Sequence, residues 1–151
     1  FEINSEQTIS QLFTKITGSL EKSDQKLDTT ETGQHTILAK IRSNVWGRYA
    51  VRTNGPYFFY SVPYFTKGNP TWDNLEYLEY NKLGEGASAG CIRLALSDIV
   101  WIYNNIPAGT QVEIYDSTTL PSGVAEPQAA KINENDINRG WDPTDPAKPQ
   151  S

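Results

Sequence analysis

The alternation of apolar and polar residues along the chain predicts a mostly β protein. Residues 36–42 and 48–53 alternate in the way that half-buried strands do. The Asn-Gly-Pro turn at residues 54–56 then joins the second of these strands to a third, over residues 57–62, as a hairpin. The last regular element is a strand predicted over residues 111–115.

One firm helix interrupts this β pattern. It covers residues 94–103 and extends to Ile106, with Ser97 as its predicted N-cap and Asp98 in its first turn. Residues 107–109, Pro-Ala-Gly, end it. Its apolar stripe consists of Ile99, Ile102, Tyr103 and Ile106.

A second, shorter helix is predicted over residues 71–80, with Thr71 as its cap. Its apolar side is formed by Trp72, Leu75 and Leu78. Three acidic residues also share a helical spacing: Asp73, Glu76 and Glu79. Three carboxylates can bind Ca²⁺, but no Asp/Asn/Gly loop accompanies them, so we expect a solvated helix face.

The two ends of the chain have weaker patterns. Residues 1–18 predict one or two short strands, and residues 19–34 a polar, solvated loop. From residue 117 onward Pro, Ser, Asp and Asn dominate, and Trp141 is the aromatic residue expected to anchor this part. We therefore expect one domain over residues 1–116 and an extended tail over residues 117–151 that packs on it.

Composition narrows the classes of function. The 151-residue chain has a net charge of −5 and no basic cluster, which argues against a nucleic-acid partner. It has one cysteine and one histidine, His35, far apart in sequence, which do not make a zinc site. Because the chain begins at Phe1 rather than at Met, we expect that any signal peptide has been removed.

The single cysteine, Cys91, lies in a loop of small residues, Gly-Glu-Gly-Ala-Ser-Ala-Gly-Cys-Ile-Arg at residues 84–93. Such a loop lets a backbone approach a ligand closely, which favours a nucleophile over a small buried apolar residue. The backbone N–H groups of Gly90 and Cys91 are candidate donors to an oxyanion. Arg93 has two interpretations, a structural ion pair or a clamp for a substrate carboxylate.

This loop and its surroundings resemble a known family. Ala-Ser-Ala-Gly-Cys-Ile-Arg-Leu at residues 87–94, the helix, and Pro-Ala-Gly-Thr-Gln-Val-Glu-Ile-Tyr at residues 107–115 resemble the L,D-transpeptidase catalytic domain of bacterial cell-wall enzymes. Residues 31–37 and 54–64 are similar to two further segments of that family. Residues 139–146 resemble a tail found in a Firmicutes subgroup. The likeness covers roughly residues 30–146.

The resemblance implies a β-sandwich or barrel with Cys91 in a cleft. Its thiolate would attack the carbonyl between an L-centre and a D-centre of a peptidoglycan stem tetrapeptide, releasing D-Ala. The acyl group would pass to the amine of a second stem, or to water in an L,D-carboxypeptidase. No metal or cofactor is implied, carbapenem-type inhibitors are implied ligands, and the expected location is the bacterial cell wall. The candidate catalytic residues are Cys91, Gly90 and Tyr60, and the candidate substrate-binding residues are Ser88, Arg93 and Tyr64.

The chain departs from the family pattern at the expected general base. Tyr60 occupies the place of the usual His, and Ala89 that of a second, optional His. A phenol of pKa ~10 is only about 0.1% ionised at neutral pH, and the loss of a positioned base typically lowers a rate by ~10²–10⁴. Three hypotheses follow: an L,D-transpeptidase with full or weak activity, an inactive module that binds peptidoglycan or a wall partner, and a His-to-Tyr variant of an active enzyme. The retained thiol favours the enzyme, and His35 is a candidate substitute base.

Overall fold

The computed structural model describes residues 33–41, 46–53, 58–67, 71–84, 87–88, 91–114 and 129–150. Within these ranges the strands are β1 (Gly33–Ile41), β2 (Ala50–Thr53), β3 (Phe58–Ser61), β4 (Ile92–Leu94) and β5 (Gln111–Ile114). The helices are α1 (Tyr77–Tyr80) and α2 (Leu96–Asn105). The predicted mostly β class is confirmed.

The strands form one five-stranded sheet in the order β4-β3-β2-β1-β5. The predicted hairpin is confirmed, because β2 and β3 pair antiparallel with Val51 opposite Phe59. β1 pairs antiparallel with both β2 and β5. β1 begins at Gly33, so the loop predicted over residues 19–34 extends two residues too far. The strands predicted within residues 1–18 lie outside the described residues.

β4 was not predicted as a strand. It pairs parallel with β3, and the register sets Arg93 beside Tyr60. The sequence pattern assigned Leu94 to the following helix, but its backbone belongs to the sheet, where Ile92 and Leu94 bury their side chains and Arg93 is half-buried. The strand has three residues, which is too short for alternation to distinguish it from the start of a helix.

The main core lies between α2 and the sheet. Ile99, Ile102 and Ile106 of the predicted stripe pack with Val51 and Phe59. Burying each such side chain contributes about 1.5–3 kcal/mol relative to exposure. Tyr103, the fourth residue of the stripe, is half-buried and contacts Tyr49 edge to face, with ring centroids 5.0 Å apart. The helix ends at Asn105, close to the predicted end.

The N-terminus of α2 is capped from outside the helix. The N-cap position is Ala95, which has no side-chain acceptor, so the prediction of Ser97 as the cap is wrong. Instead the Leu96 N–H donates to Asp142 Oδ2 at 3.0 Å, and the Ser97 N–H donates to Thr144 Oγ1 at 3.0 Å. A carboxylate there satisfies free N–H groups and interacts favourably with the positive end of the helix dipole.

The C-terminal segment, residues 129–150, is held by buried polar groups and by the buried side chain of Ile132. Asp142 and Asp145 are buried, whereas Trp141 is half-buried. Asp145 forms an ion pair with Arg48, at the approach to β2. Gly140 accepts a hydrogen bond from the Leu75 N–H at 2.7 Å.

The helix predicted over residues 71–80 is mostly wrong, because only the single turn of α1 forms. The Thr71 hydroxyl donates to Asp73 and does not cap the helix. Leu75 pairs with Tyr64 in an isolated antiparallel bridge, and Leu78 is 62% exposed. Hydrogen bonds to distant segments therefore prevail over the local helical spacing.

We predict that Asp142→Asn destabilises the protein by about 1–3 kcal/mol. Asp142 Oδ2 accepts from Leu96 N–H, and its Oδ1 accepts from both the N–H and the hydroxyl of Thr144. An amide has one oxygen, so its NH₂ group would face an N–H donor. Urea unfolding followed by tryptophan fluorescence measures the change.

Asp136→Asn is the matched control for this prediction. Asp136 accepts a local hydrogen bond from the Asn138 N–H and is more exposed, so we expect its loss to be below about 1 kcal/mol. Equal destabilisation by the two substitutions would contradict a capping role for Asp142.

Candidate active site

A cleft with a volume of about 660 Å³ lies on the face of β3 and β4 that points away from the core, and Cys91 lines it. Cys91 immediately precedes β4 and is a half-buried free thiol. Of the predicted site residues, the cleft brings together Cys91, Tyr60 and Arg93. The described residues that line it are Trp46, Phe58, Tyr60, Pro63, Phe65, Glu76, Glu79, Cys91 and Arg93.

The two-residue period of the strands explains which side chains reach the cleft. In β3, Phe59 and Ser61 are buried, so Phe58 and Tyr60 face the other side. In β4, the buried Ile92 and Leu94 leave Arg93 on the cleft side. Parallel pairing of the two strands then sets Tyr60 next to Arg93.

Arg93 makes two polar contacts inside the cleft. Its Nη1 lies 2.6 Å from Glu79 Oε2, and its Nε–H donates to Tyr60 Oη at 3.2 Å. Burial opposes the charge of Arg93, but the contacts with Tyr60 and Glu79 outweigh it and raise its pKa. Of the two interpretations of Arg93, the structure shows the ion pair with Glu79, and the substrate clamp stays a prediction.

Glu79 joins two cations. Besides Arg93, it contacts Lys82, whose Nζ lies 2.5 Å from Oε1. The hydrogen bond from Lys82 and the contacts with Arg93 lower the pKa of Glu79, and partial burial opposes them only in part. Glu79 is thus ionised at neutral pH and holds Arg93 in place.

The orientation of Tyr60 follows from this ion pair. Because its oxygen accepts from Arg93, its own hydroxyl proton is directed elsewhere and can be donated to another acceptor. A cation on the oxygen also polarises the O–H bond and strengthens it as a donor. Tyr60 is therefore arranged to donate a hydrogen bond rather than to accept a proton.

The remaining predicted residues do not line the cleft or lie outside the described residues. The Ser88 hydroxyl donates to the Cys91 carbonyl oxygen and so joins these two residues. Gly90 and Ala89 lie outside the described residues, so the oxyanion donor at Gly90 stays a prediction. His35 lies in β1, and Tyr60 lies in β3. β2 separates these two strands in the sheet, so their backbones are about 10 Å apart.

Tyr64 was predicted as a substrate-binding residue, but the structure places its side chain in the core and not on the cleft wall. It contacts Trp72 edge to face, with ring centroids 5.0 Å apart. Burial and the nearby Asp142 raise the pKa of Tyr64, whereas Arg48 opposes the rise. Its hydroxyl makes no hydrogen bond of ordinary geometry with the described residues.

Sequence patterns identified only part of the cleft wall. Trp46 and Phe65 are 56% and 65% exposed. No motif singled out Trp46, whereas Phe65 belongs to the aromatic-rich stretch of residues 57–72, which suits glycan and peptide ligands. Glu76 and Glu79 were noted only for a helical spacing with Asp73. Within the described ranges no three His, Cys, Asp or Glu residues are grouped closely enough to hold a metal ion, and no helix is long and apolar enough to cross a membrane.

We predict that Glu79→Gln destabilises the protein by about 1 kcal/mol, because Arg93 loses its charged partner. Lys82→Gln is the control and should change stability by less than about 0.5 kcal/mol, since Lys82 is 47% exposed. Urea unfolding at several pH values measures both.

The pH dependence of the Glu79→Gln effect has a defined sign. The folded pKa of Glu79 lies below its ordinary value of 4.5, so its contribution is present above that pH. It is lost as the pH falls through the folded pKa. A gap between parent and variant that widens on acidification would contradict the assigned ion pair.

Comparisons with known proteins agree on a family. Residues 6–114 match the sequence model of YkuD, described as the L,D-transpeptidase catalytic domain. Over 63 residues the chain is 43% identical to the putative L,D-transpeptidase YciB of Bacillus subtilis (strain 168), which is 42% of this chain and 30% of that protein. The chain thus spans less than a third of this curated relative.

Two solved structures are also similar. One is a fused Zn-dependent amidase/peptidase/peptidoglycan-binding domain-containing protein from Clostridium acetobutylicum ATCC 824, with 29% identity, 62% of this chain and 37% of that chain covered, and a TM-score of 0.42. The other is an L,D-transpeptidase from Mycobacterium tuberculosis H37Rv, with 28% identity, 58% and 38% covered, and a TM-score of 0.45. Because the family match extends over residues 6–114 of 151, this chain belongs to the L,D-transpeptidase catalytic domain family.

Proposed function

We propose that this chain acts in peptidoglycan maturation at the bacterial cell wall, as an L,D-transpeptidase that forms a thioester on Cys91. The observation that supports this most is a free, half-buried thiol opening on a cleft together with Tyr60 and Arg93. The family membership supplies the substrate class, a stem peptide of peptidoglycan. The match to a Bacillus protein is consistent with an origin in Firmicutes.

The proposed reaction has two steps. Cys91 Sγ attacks the carbonyl that precedes the terminal D-Ala, the C–N bond breaks, and D-Ala leaves with the thiol proton on its nitrogen. An amine of a second stem then attacks the thioester, the C–S bond breaks, and the thiol regains a proton from the attacking nitrogen. With water in place of the amine, the same site acts as an L,D-carboxypeptidase. Neither step needs a metal or a cofactor.

The residues around Cys91 have distinct proposed roles. The Gly90 and Cys91 N–H groups stabilise the oxyanion of each tetrahedral intermediate. Tyr60 donates a hydrogen bond to the substrate, held in this orientation by Arg93. Ser88 fixes the carbonyl of Cys91 and thereby the loop. No residue among these removes the thiol proton efficiently, so acylation is slow.

A second candidate function is a catalytically inactive module that binds peptidoglycan. Its support is Tyr60 in the position of the usual base, together with the exposed aromatic residues Trp46 and Phe65 at the cleft. Aromatic faces suit glycan and peptide ligands. The retained thiol favours the enzyme over this alternative.

We predict that a carbapenem acylates Cys91 slowly, and that Tyr60→His accelerates acylation by ~10²–10⁴, the usual effect of a positioned base. Intact-protein mass spectrometry over time measures the adduct. Cys91→Ala is the control for attachment at the thiol and should show no adduct.

The outcomes of this labelling separate the hypotheses. A fast, stoichiometric adduct in the parent protein would refute the loss of the base. No adduct in the parent with labelling in Tyr60→His supports the inactive module. No adduct in either protein overturns acyl transfer through Cys91. Unchanged labelling in His35→Ala removes His35 as a substitute base.

The binding alternative predicts that the parent protein and Cys91→Ala sediment equally well with isolated peptidoglycan sacculi. The cleft and its aromatic wall do not depend on the thiol, so the substitution should not weaken binding. Centrifugation with and without sacculi measures the bound fraction. If neither protein enters the pellet, binding of the wall polymer is wrong.

A further inference from the structure

We propose that Asp145 and Arg48 are positioning residues for Tyr60, and that they act through the backbone of residues 46–48. We call residues 46–48 the clasp. Neither Asp145 nor Arg48 is among the described residues that line the cleft, and Asp145 follows the part of the chain that matches the family model. The inference rests on the proposed function in one respect only, that Tyr60 acts on a substrate bound in the cleft.

A buried ion pair fixes the side chain of the clasp. Arg48 Nη1 contacts Asp145 Oδ2, and the two side chains are only 18% and 1% exposed. Removing either partner would leave an uncompensated charge away from water, so each group holds the other in place. The guanidinium of Arg48 also lies over the Trp72 ring, 5.0 Å from its centroid. Asp145 and Trp72 together therefore determine the position of Arg48.

Asp145 is itself held by hydrogen bonds within the C-terminal segment. Its Oδ1 accepts from the Ala147 N–H at 2.9 Å, and its own N–H donates to the Asp142 carbonyl oxygen at 2.9 Å. In such turns an aspartate binds a backbone group two residues further on and fixes its own side chain. The carboxylate is therefore oriented by its own segment before it meets Arg48.

The clasp connects this ion pair to β3. The Arg48 N–H donates to the Ser61 hydroxyl oxygen at 2.7 Å. Gly47 lies so close to β3 that a Cβ there would be 2.9 Å from Ser61 Oγ and 3.1 Å from Tyr60 Cδ2. The backbone of Gly47 thus limits the Tyr60 ring on one side, while Arg93 binds the hydroxyl oxygen. Because the contact is this close, a shift of the clasp changes the space open to the ring.

Backbone strain on both sides of Arg48 indicates that distant contacts impose this arrangement. Among the described residues, two that are not glycine have a positive φ, Tyr49 at 55° and Trp72 at 53°. Tyr49 follows Arg48 in the chain, and Trp72 supplies the ring beneath its guanidinium. Bulky residues keep such a conformation only where the surrounding structure requires it. We therefore expect the clasp to relax when the ion pair is removed.

The consequence for the site is that residues outside the cleft set the geometry of Tyr60. In the proposed reaction Tyr60 donates a hydrogen bond to the substrate, and a small displacement of such a group slows a reaction even when its cause lies far from the reacting atoms. Asp145 and Arg48 touch no reacting atom and take no part in proton transfer. They keep the ring where its hydroxyl can be donated.

The test follows Tyr60 by fluorine NMR after incorporation of fluorotyrosine, with Tyr60→Phe to assign its signal. We expect Asp145→Asn to shift this signal or to split it in two, because the clasp then has more than one position. Ile102→Val is the control, since it weakens the main core away from the clasp and should leave the signal unchanged. Spectra are recorded without denaturant, and urea unfolding gives the stability of each variant.

Arg48→Lys is the second variant. It keeps a cation opposite Asp145 and so avoids the buried, unpaired charge that destabilises other substitutions of the pair, but it lacks the planar guanidinium. We expect it to change the Tyr60 signal as well. An unchanged signal in folded Asp145→Asn overturns the inference. If Asp145→Asn does not fold, an unchanged signal in Arg48→Lys overturns it, and so does a change that Ile102→Val reproduces.

The carbapenem adduct at Cys91 is measured separately. Where the parent protein forms it, Asp145→Asn should slow its formation several-fold and Ile102→Val should not, and equal rates in all three proteins would overturn the link to acyl transfer. No adduct in the parent protein or in Tyr60→His, together with a changed Tyr60 signal in Asp145→Asn, refutes acyl transfer and leaves the positioning role standing.

Discussion

Two buried aspartates of the C-terminal segment hold together the elements that form the cleft. Asp142 caps α2, which follows the strand of Arg93 directly, and Asp145 pairs with Arg48. The Arg48 N–H donates to the Ser61 hydroxyl at the end of β3, so one ion pair connects the segment to the central strands. The cleft therefore depends on contacts from residues that follow the family-matched region, residues 6–114.

The fold tolerates the buried carboxylate of Asp142, which is unfavourable to remove from water, because both of its oxygens accept hydrogen bonds. Burial raises the pKa of Asp142, and hydrogen bonds from Thr144 and Leu96 oppose that rise. A buried carboxylate without partners would be unfavourable, whereas one that accepts from three donors specifies a single position for the chain. Gly140 adds a steric constraint, since a Cβ there would lie 1.8 Å from the Asp73 carbonyl oxygen.

The elements predicted from the sequence are those that local patterns determine. Alternation and a turn were sufficient for β1, β2, β3 and β5, and apolar periodicity for α2. The start of α2 was misplaced because its cap, Asp142, lies 46 residues away in sequence. The helix predicted over residues 71–80 failed because Leu75 pairs with Tyr64 and donates to Gly140, and neither partner is local.

The difference between local patterns and contacts with distant residues also explains which site residues the sequence indicated. The small-residue loop before β4 indicated Cys91 and Arg93, and the resemblance of residues 54–64 to a family segment indicated Tyr60. Glu79 reaches the cleft on the single turn of α1, and the carbonyl oxygen of Trp46 accepts a hydrogen bond from the distant Tyr64 N–H; no local pattern reveals either placement. Tyr64 shows the reverse case, since its place in a family-like segment suggested a ligand contact, whereas its bridge with Leu75 leaves its side chain in the core.

Tyr60 is held by a polar network that extends along the cleft. Arg93 donates to the Tyr60 oxygen and is itself held by Glu79, so the three side chains form one connected unit. A His side chain is shorter than a Tyr side chain, so an imidazole at residue 60 would end short of the position of Tyr60 Oη and would leave the Arg93 Nε–H without this acceptor. The guanidinium would still be held by Glu79 through Nη1. Because Arg93 would not occupy either imidazole nitrogen, the neutral ring keeps one nitrogen that can accept a proton, which is why Tyr60→His is the variant that tests for a missing base.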